Sequence, residues 1–106
     1  MPDLKLFVLV RSDLTPQQRT VQACHAVAEF SLQHGLELEP AQWLVVDKTI
    51  VLLSVKNERA LIMEKIKLDG ENISHSGFYE PDMGGSLTAL AALPHDPSYF
   101  KRLELE

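Results

Sequence analysis

Apolar runs of strand length alternate with helix-spaced apolar positions along most of this chain. Leu4 to Val10 is almost continuously apolar, with β-branched and aromatic members, as in a strand covered on both faces. Thr15 before Pro16 marks a helix start, with Thr15 as N-cap and Pro16 at the first helical position, where its missing N–H costs nothing. That helix is predicted to run to about Gln33 and to end at Gly35, with Val21, Cys24, Val27, Ala28 and Phe30 on the face against the sheet. Leu36 to Asp47 reads as a connector in which Pro40 to Leu44 forms a short helical turn. Lys48 to Val55 is the second strand, apolar through its centre. Asn57 caps a second helix, Glu58 to about Leu68, with Ala60, Leu61, Ile62 or Met63, and Ile66 inward and Asp69-Gly70 closing it. Ile73 to Tyr79 is a short, rather polar third strand, and Leu87 to Leu93 a fourth that Pro94 stops.

The order is βαβα followed by ββ, with no repeat, linker or low-complexity stretch. Parallel neighbours need a crossover helix, whereas the last two strands share a short link containing Gly84-Gly85 and are expected to pair antiparallel. The pattern predicts a single three-layer α/β domain over residues 1–106, with a mixed four-stranded sheet and helices on both faces. Tyr99 to Glu106, with Phe100, Leu103 and Leu105, leaves room for a short edge segment.

Composition narrows the class. A chain of 106 residues with 45% hydrophobic and 24% charged residues reads as one ordinary globular domain. Its formal net charge of −5 argues against a dominant phosphate-binding surface, because such surfaces need clustered Lys and Arg, but leaves room for a local basic patch. The lone cysteine, Cys24, excludes an internal disulfide and a CxxC metal knuckle, and its apolar neighbours predict a small buried hydrophobe. Asp3 and Lys5 interrupt the N-terminal apolar run, so it reads as a strand rather than a signal peptide. No stretch approaches the roughly 20 apolar residues of a bilayer span. The expectation is a cytoplasmic protein without membrane contact.

Chemistry gathers where the first strand ends. Arg11 and Asp13 follow the strand, Arg19, Gln22 and His25 lie on the helix after it, and the carboxyl ends of strands are where open α/β sheets form ligand crevices. The segment Phe78 to Ala89, with Glu80, Asp82 and Thr88, is the one plausible partner. Plainer readings stand beside these. His25 suits a hydrogen bond to backbone or to Gln22 as well as a general base, and Arg11 and Asp13 suit a simple turn pair. Glu80 and Asp82 suit a polar turn or a divalent cation, and Thr88 is an ordinary strand former. His34, His75 and His95 are scattered without metal-ligand spacing, and no phosphate-cradling glycine motif occurs. No metal or other cofactor is predicted.

Four segments in order carry a resemblance: the strand ending Val10-Arg11-Ser12-Asp13-Leu14, the helix with Gln22-Ala23-Cys24-His25-Ala26, Trp43 before the Lys48-Thr49-Ile50-Val51 strand, and the Asp82 to Leu90 segment with Ser86-Leu87-Thr88-Ala89-Leu90. Together they resemble peptidyl-tRNA hydrolases of the second, archaeal and eukaryotic type. The resemblance implies a compact α/β domain that hydrolyses the ester between a peptide and the 3′ end of tRNA without a metal. It further implies catalytic roles for Asp82 and Thr88, with His25 and Gln22 beside them, and substrate contacts from Arg11 and Asp13; charge chemistry adds Arg19, a basic residue suited to an RNA phosphate.

The chain departs from that pattern in two places. The family's glycine- and lysine-rich run is here Thr15-Pro16-Gln17-Gln18-Arg19, with no lysine, and the loop before the last strand is shorter, reading Glu80-Pro81-Asp82-Met83-Gly84-Gly85. Two functions therefore stay open: a hydrolase acting on peptidyl-tRNA, and a non-catalytic relative that binds a small anionic ligand or a protein in the same crevice. A homodimer is compatible with either.

Overall fold

In the computed structural model, which describes residues 3–106, the elements follow in the order β1 (Lys5–Arg11), α1 (Pro16–His34), α2 (Leu38–Gln42), a π-helical turn (Trp43–Asp47), β2 (Thr49–Val55), α3 (Glu58–Gly70), β3 (Ser74–Glu80), a 3₁₀ turn (Pro81–Met83), β4 (Ser86–Leu93) and β5 (Glu104–Leu105). Thr15 caps α1 reciprocally: its hydroxyl accepts from the Gln18 N–H at 3.2 Å, and the Gln18 side chain accepts from the Thr15 N–H at 2.9 Å. Asn57 caps α3 by accepting from the Ala60 N–H at 3.0 Å. Two orphan amides are thus met at α1 and one at α3, where the sequence predicted the caps.

The strands form one mixed sheet in the order β3-β4-β1-β2-β5. β1 and β2 are parallel, with Leu6 opposite Ile50 and Leu9 opposite Leu53, as the α1 crossover requires. β4 is antiparallel to both β1 and β3. The sheet has five strands, which corrects the expected four. Phe100 is buried, its ring 5.5 Å from that of Phe7, and it draws the tail across the sheet. Leu105 and Glu104 then pair with Leu53 and Ser54, and the Glu106 N–H donates to the Leu52 carbonyl. A two-residue strand carries no period, so packing rather than patterning creates it.

Two apolar cores lie on opposite faces of the sheet. Leu6, Val8, Val10, Ala89, Ala91 and Leu93 meet Ala26 and Phe30 of α1, with Trp43 closing the cluster. Phe7, Leu9, Leu53, Leu90 and Ala92 meet Leu61 and Leu68 of α3 and Phe100. The alternation along β1 and β4 supplies both cores from the same strands.

Both helices are rotated from the predicted faces. On α1 the buried residues are Gln22, Ala26 and Phe30, while Cys24 is exposed and Val21 is half exposed, which corrects the buried cysteine. On α3 they are Leu61, Glu64 and Leu68, while Ile62, Met63 and Ile66 are exposed. The cause is the same in each case. A polar side chain, Gln22 or Glu64, takes an inward position because a specific partner satisfies it there, and the apolar residues beside it turn outward.

Candidate functional site

The site is assembled at the carboxyl end of β1, where β4 begins and β3 ends. In the β3/β4 ladder Phe78 faces Ala89 but Tyr79 faces Leu87, so Thr88 is the extra residue of a β-bulge. A bulge re-aims side chains. Leu87 joins the α3-side core, as do Leu90 and Ala92, and strict alternation would send Thr88 the same way as the last two. Instead the Thr88 side chain turns to α1, where its hydroxyl donates to Gln22 Oε1 at 2.5 Å. Gln22 Nε2 in turn donates to Glu80 Oε1 at 2.8 Å.

This chain has one polarity. A carboxylate only accepts, so the Gln22 amide must present its NH₂ to Glu80 and its carbonyl to Thr88. Gln22 and Thr88 are both buried, and Thr88 is fully so. The other Glu80 oxygen faces the Asp82 N–H and caps the 3₁₀ turn, so a buried relay fixes the segment that carries Asp82. Gly84 and Gly85, at φ 67° and 76°, complete the reversal into β4 with two left-handed residues in a row, a path that side-chain-bearing residues resist. Asp82 itself is exposed to solvent.

Arg11, at the end of β1, binds the start of β4. Its guanidinium donates two hydrogen bonds to Asp13, at 3.0 and 2.9 Å, and its Nη1 reaches the Ser86 hydroxyl at 3.4 Å and the Leu87 carbonyl at 3.3 Å. The Leu87 N–H is taken by Glu58 Oε2 at 2.8 Å. Side chains of Arg11 and Glu58 thus hold the start of β4, below its paired stretch with β1. The hydrogen bond to Asp13 raises the Arg11 pKa, and the same bond lowers that of Asp13.

Arg19 and His25 complete the group. Arg19 Nη1 donates to the Ser12 and Leu14 carbonyls at 3.1 and 2.9 Å, and its Nε lies 2.8 Å from the Glu106 carboxylate without an aligned N–H bond. Its role in the free protein is to shape the β1–α1 loop. His25 is exposed and its ring stacks on Phe78, centroids 4.4 Å apart. Among the described residues the imidazole has no hydrogen-bond partner, so the expected bond to Gln22 or backbone is absent.

All seven residues singled out from the sequence therefore lie at one end of the sheet, in three layers of availability. Gln22 and Thr88 are sealed inside, Arg11, Asp13 and Arg19 are held by internal partners, and Asp82 and His25 are open. Sequence reasoning missed the parts of Glu58 and Ser86, and it read Glu80 as part of a polar turn or a divalent-cation pair rather than as a partner of Gln22. An acidic residue in the first turn of a helix reads as a dipole partner, so no signal marked Glu58. Among the described residues no three His, Cys, Asp or Glu side chains are placed to share a metal ion, and no helix is long and apolar enough to cross a membrane.

Two measurements probe this architecture. Gln22→Leu should cost about 2–3 kcal/mol in urea unfolding, since it strips a partner from the buried Thr88 hydroxyl and from Glu80. With Thr88→Val the two losses should couple by about 1 kcal/mol or more, whereas simple additivity would dissolve the relay. The second concerns acid. Hydrogen bonds hold four carboxylates below their ordinary range: Asp13 by Arg11, Glu37 first by Ser74 and then by His34, Asp69 first by His75 and then by Lys65, and Asp96 by the N–H and hydroxyl of Ser98. A lowered folded-state pKa gives stability that is present above the unfolded value of about 4 and lost as pH falls through the folded one. The urea midpoint should hold from pH 7 to 5 and fall steadily below about pH 4; a midpoint flat to pH 2 contradicts it.

The chain matches no protein-family model, and no curated protein is similar to it in sequence.

Proposed function

We propose that the crevice between the end of β1 and the β3–β4 turn hydrolyses the ester joining a peptide to the 3′ end of tRNA, acting as a peptidyl-tRNA hydrolase of the second type in the cytoplasm. The observation that carries the reading is the Thr88–Gln22–Glu80 relay. It keeps two polar groups in the interior, bonded on to the partly exposed Glu80, to fix one short turn, and the exposed carboxylate on that turn is Asp82. Arg11 is tied to Ser86 and Leu87 at the base of the same turn.

In this reading Asp82 accepts a proton from a water as the water oxygen bonds to the ester carbonyl carbon. The ester C–O bond then breaks, and the terminal ribose oxygen leaves with the proton that Asp82 took up. Arg11, held by Asp13, faces the negative charge that develops on the carbonyl oxygen. His25 lines the entrance on its Phe78 platform. Gln22 and Thr88 are positioning residues, because buried groups act on substrate only through Glu80 and the turn.

A second reading is a binding module that uses the same crevice for an anionic ligand or a protein partner. Its support is that Arg11 and Arg19 are already engaged by internal acceptors and that the β1–α1 loop holds no lysine. Incubating the purified protein with N-acetyl-aminoacyl-tRNA separates the two. Catalysed release of free tRNA, saturating in substrate, is the expected result. Tight binding with release no faster than spontaneous hydrolysis selects the binding module.

A further inference from the structure

Helix α1 is apolar on its outer side as well as its inner one. Gln22, Ala26 and Phe30 are buried against the sheet, while Val21, Cys24, Ala28 and Leu32, spaced by three and four residues, form a line along the exposed side. A helix that is apolar all round is normally covered all round. The line extends beyond the helix. Leu36 follows it fully exposed, and Leu44 Cδ2 lies 3.9 Å from the place a β-carbon on Gly35 would take, which sets the exposed Val45 and Val46 of the π-helical turn beside the end of α1. Cys24 also shares with Ile50 and Leu52 of β2 an apolar cleft of about 370 Å³.

This face carries no formal charge. Thr20 to Ala28, Pro40 to Val46 and Thr49 to Val55 contain no Asp, Glu, Lys or Arg, in a chain of which 24% is charged. The exposed Ile62, Met63 and Ile66 of α3, by contrast, are interleaved with Arg59, Lys65 and Lys67. Depletion of charge marks the core of a protein interface. For two copies of a chain of net charge −5 it is also a requirement, because a charge near a two-fold axis meets its own copy. The area suffices as well. Val21, Leu32, Leu36, Val45, Val46 and Ile50 are each at least half exposed, and with their smaller neighbours they leave roughly 800 Å² of apolar surface, one partner's share of a standard interface.

We infer that two copies of the chain pair through this face about a two-fold axis, with the two α1 helices antiparallel. The line on α1 suits that symmetry, since it reads large, small, small, large. An antiparallel copy sets Val21 against the partner's Leu32 and Cys24 against the partner's Ala28, so the small residues lie at the crossing, where the helices come closest. The pairing does not depend on the reaction proposed for the crevice.

Sedimentation velocity of the purified protein tests it. At about 100 µM the wild type should be a dimer, because interfaces of this size bind with micromolar or tighter affinity. Val21→Lys and Leu32→Glu each place a lone charge in the apolar contact, and each should raise the dimer dissociation constant at least about tenfold. Combined in one chain, they set opposite charges against each other at both ends of the helix pair and should recover at least about threefold of the lost affinity. Ile62→Glu makes a comparable change on the exposed side of α3 and should leave the dimer intact. Circular dichroism should show every variant folded as the wild type, because each position is exposed. A wild type that stays monomeric overturns the inference, and so does a dimer that Leu32→Glu leaves intact or that Ile62→Glu also breaks. Loss in both single variants without recovery in the double one overturns the antiparallel pairing.

Discussion

Asp82→Asn is expected to lower the turnover of N-acetyl-aminoacyl-tRNA by at least about 100-fold, the span that a positioned general base contributes. The substitution keeps size and shape and removes only the ability to take a proton. It should also leave the fold intact, because the Asp82 side chain is exposed and the turn is capped from the other direction, by Glu80 accepting from the Asp82 N–H. The informative pair of readings is therefore turnover and thermal midpoint. A hundredfold loss with an unchanged midpoint places Asp82 in the chemistry. Undiminished turnover removes it, and His25, the other open group, becomes the base to test.

Arg102→Ala is expected to have the largest effect on stability of any change at the surface. Only 8% of the Glu64 side-chain surface is exposed, and Arg102 supplies both hydrogen bonds to its carboxylate. Removing one partner of a buried pair strands the other charge, at a cost of about 3–5 kcal/mol when burial is complete. Arg102 is half exposed and Lys67 remains at 3.7 Å, so about 2–3 kcal/mol is the expected loss here. Glu64→Leu combined with Arg102→Leu should return to within about 1 kcal/mol of wild type, since position 64 lies between Leu61 and Leu68 on the inner face of α3. Urea unfolding of the three proteins decides it. A loss below about 0.5 kcal/mol in Arg102→Ala contradicts the account of a stranded carboxylate.

The order of elements was legible in the sequence because β1, β2 and β4 have continuously apolar centres and each long helix carries its own cap, Thr15 or Asn57. What the pattern concealed has one physical origin. At Gln22 and Glu64 a polar residue points inward, satisfied by partners 58 and 38 positions away along the chain, and periodicity registers hydropathy but not partnership. The apolar stripe then shifts, and with it the predicted faces of α1 and α3 and the burial of Cys24. Thr88 was hidden by the opposite effect: a bulge breaks the two-residue period, so its side chain turns to α1 where counting along β4 sends it to α3. The candidate site was legible as a set of residues because strand ends gather polar groups. Its division into sealed, held and open members depends on distances that no sequence pattern carries.

The central claim is that the peptide ester is held between the end of β1 and the Glu80–Ser86 turn. The most direct test is amide chemical-shift mapping of the isotope-labelled wild-type protein with a non-hydrolysable 3′-aminoacylamino-adenosine. Shifts confined to Arg11–Leu14, His25 and Glu80–Ser86 are the predicted result. Shifts centred elsewhere, or none at millimolar ligand, contradict the claim.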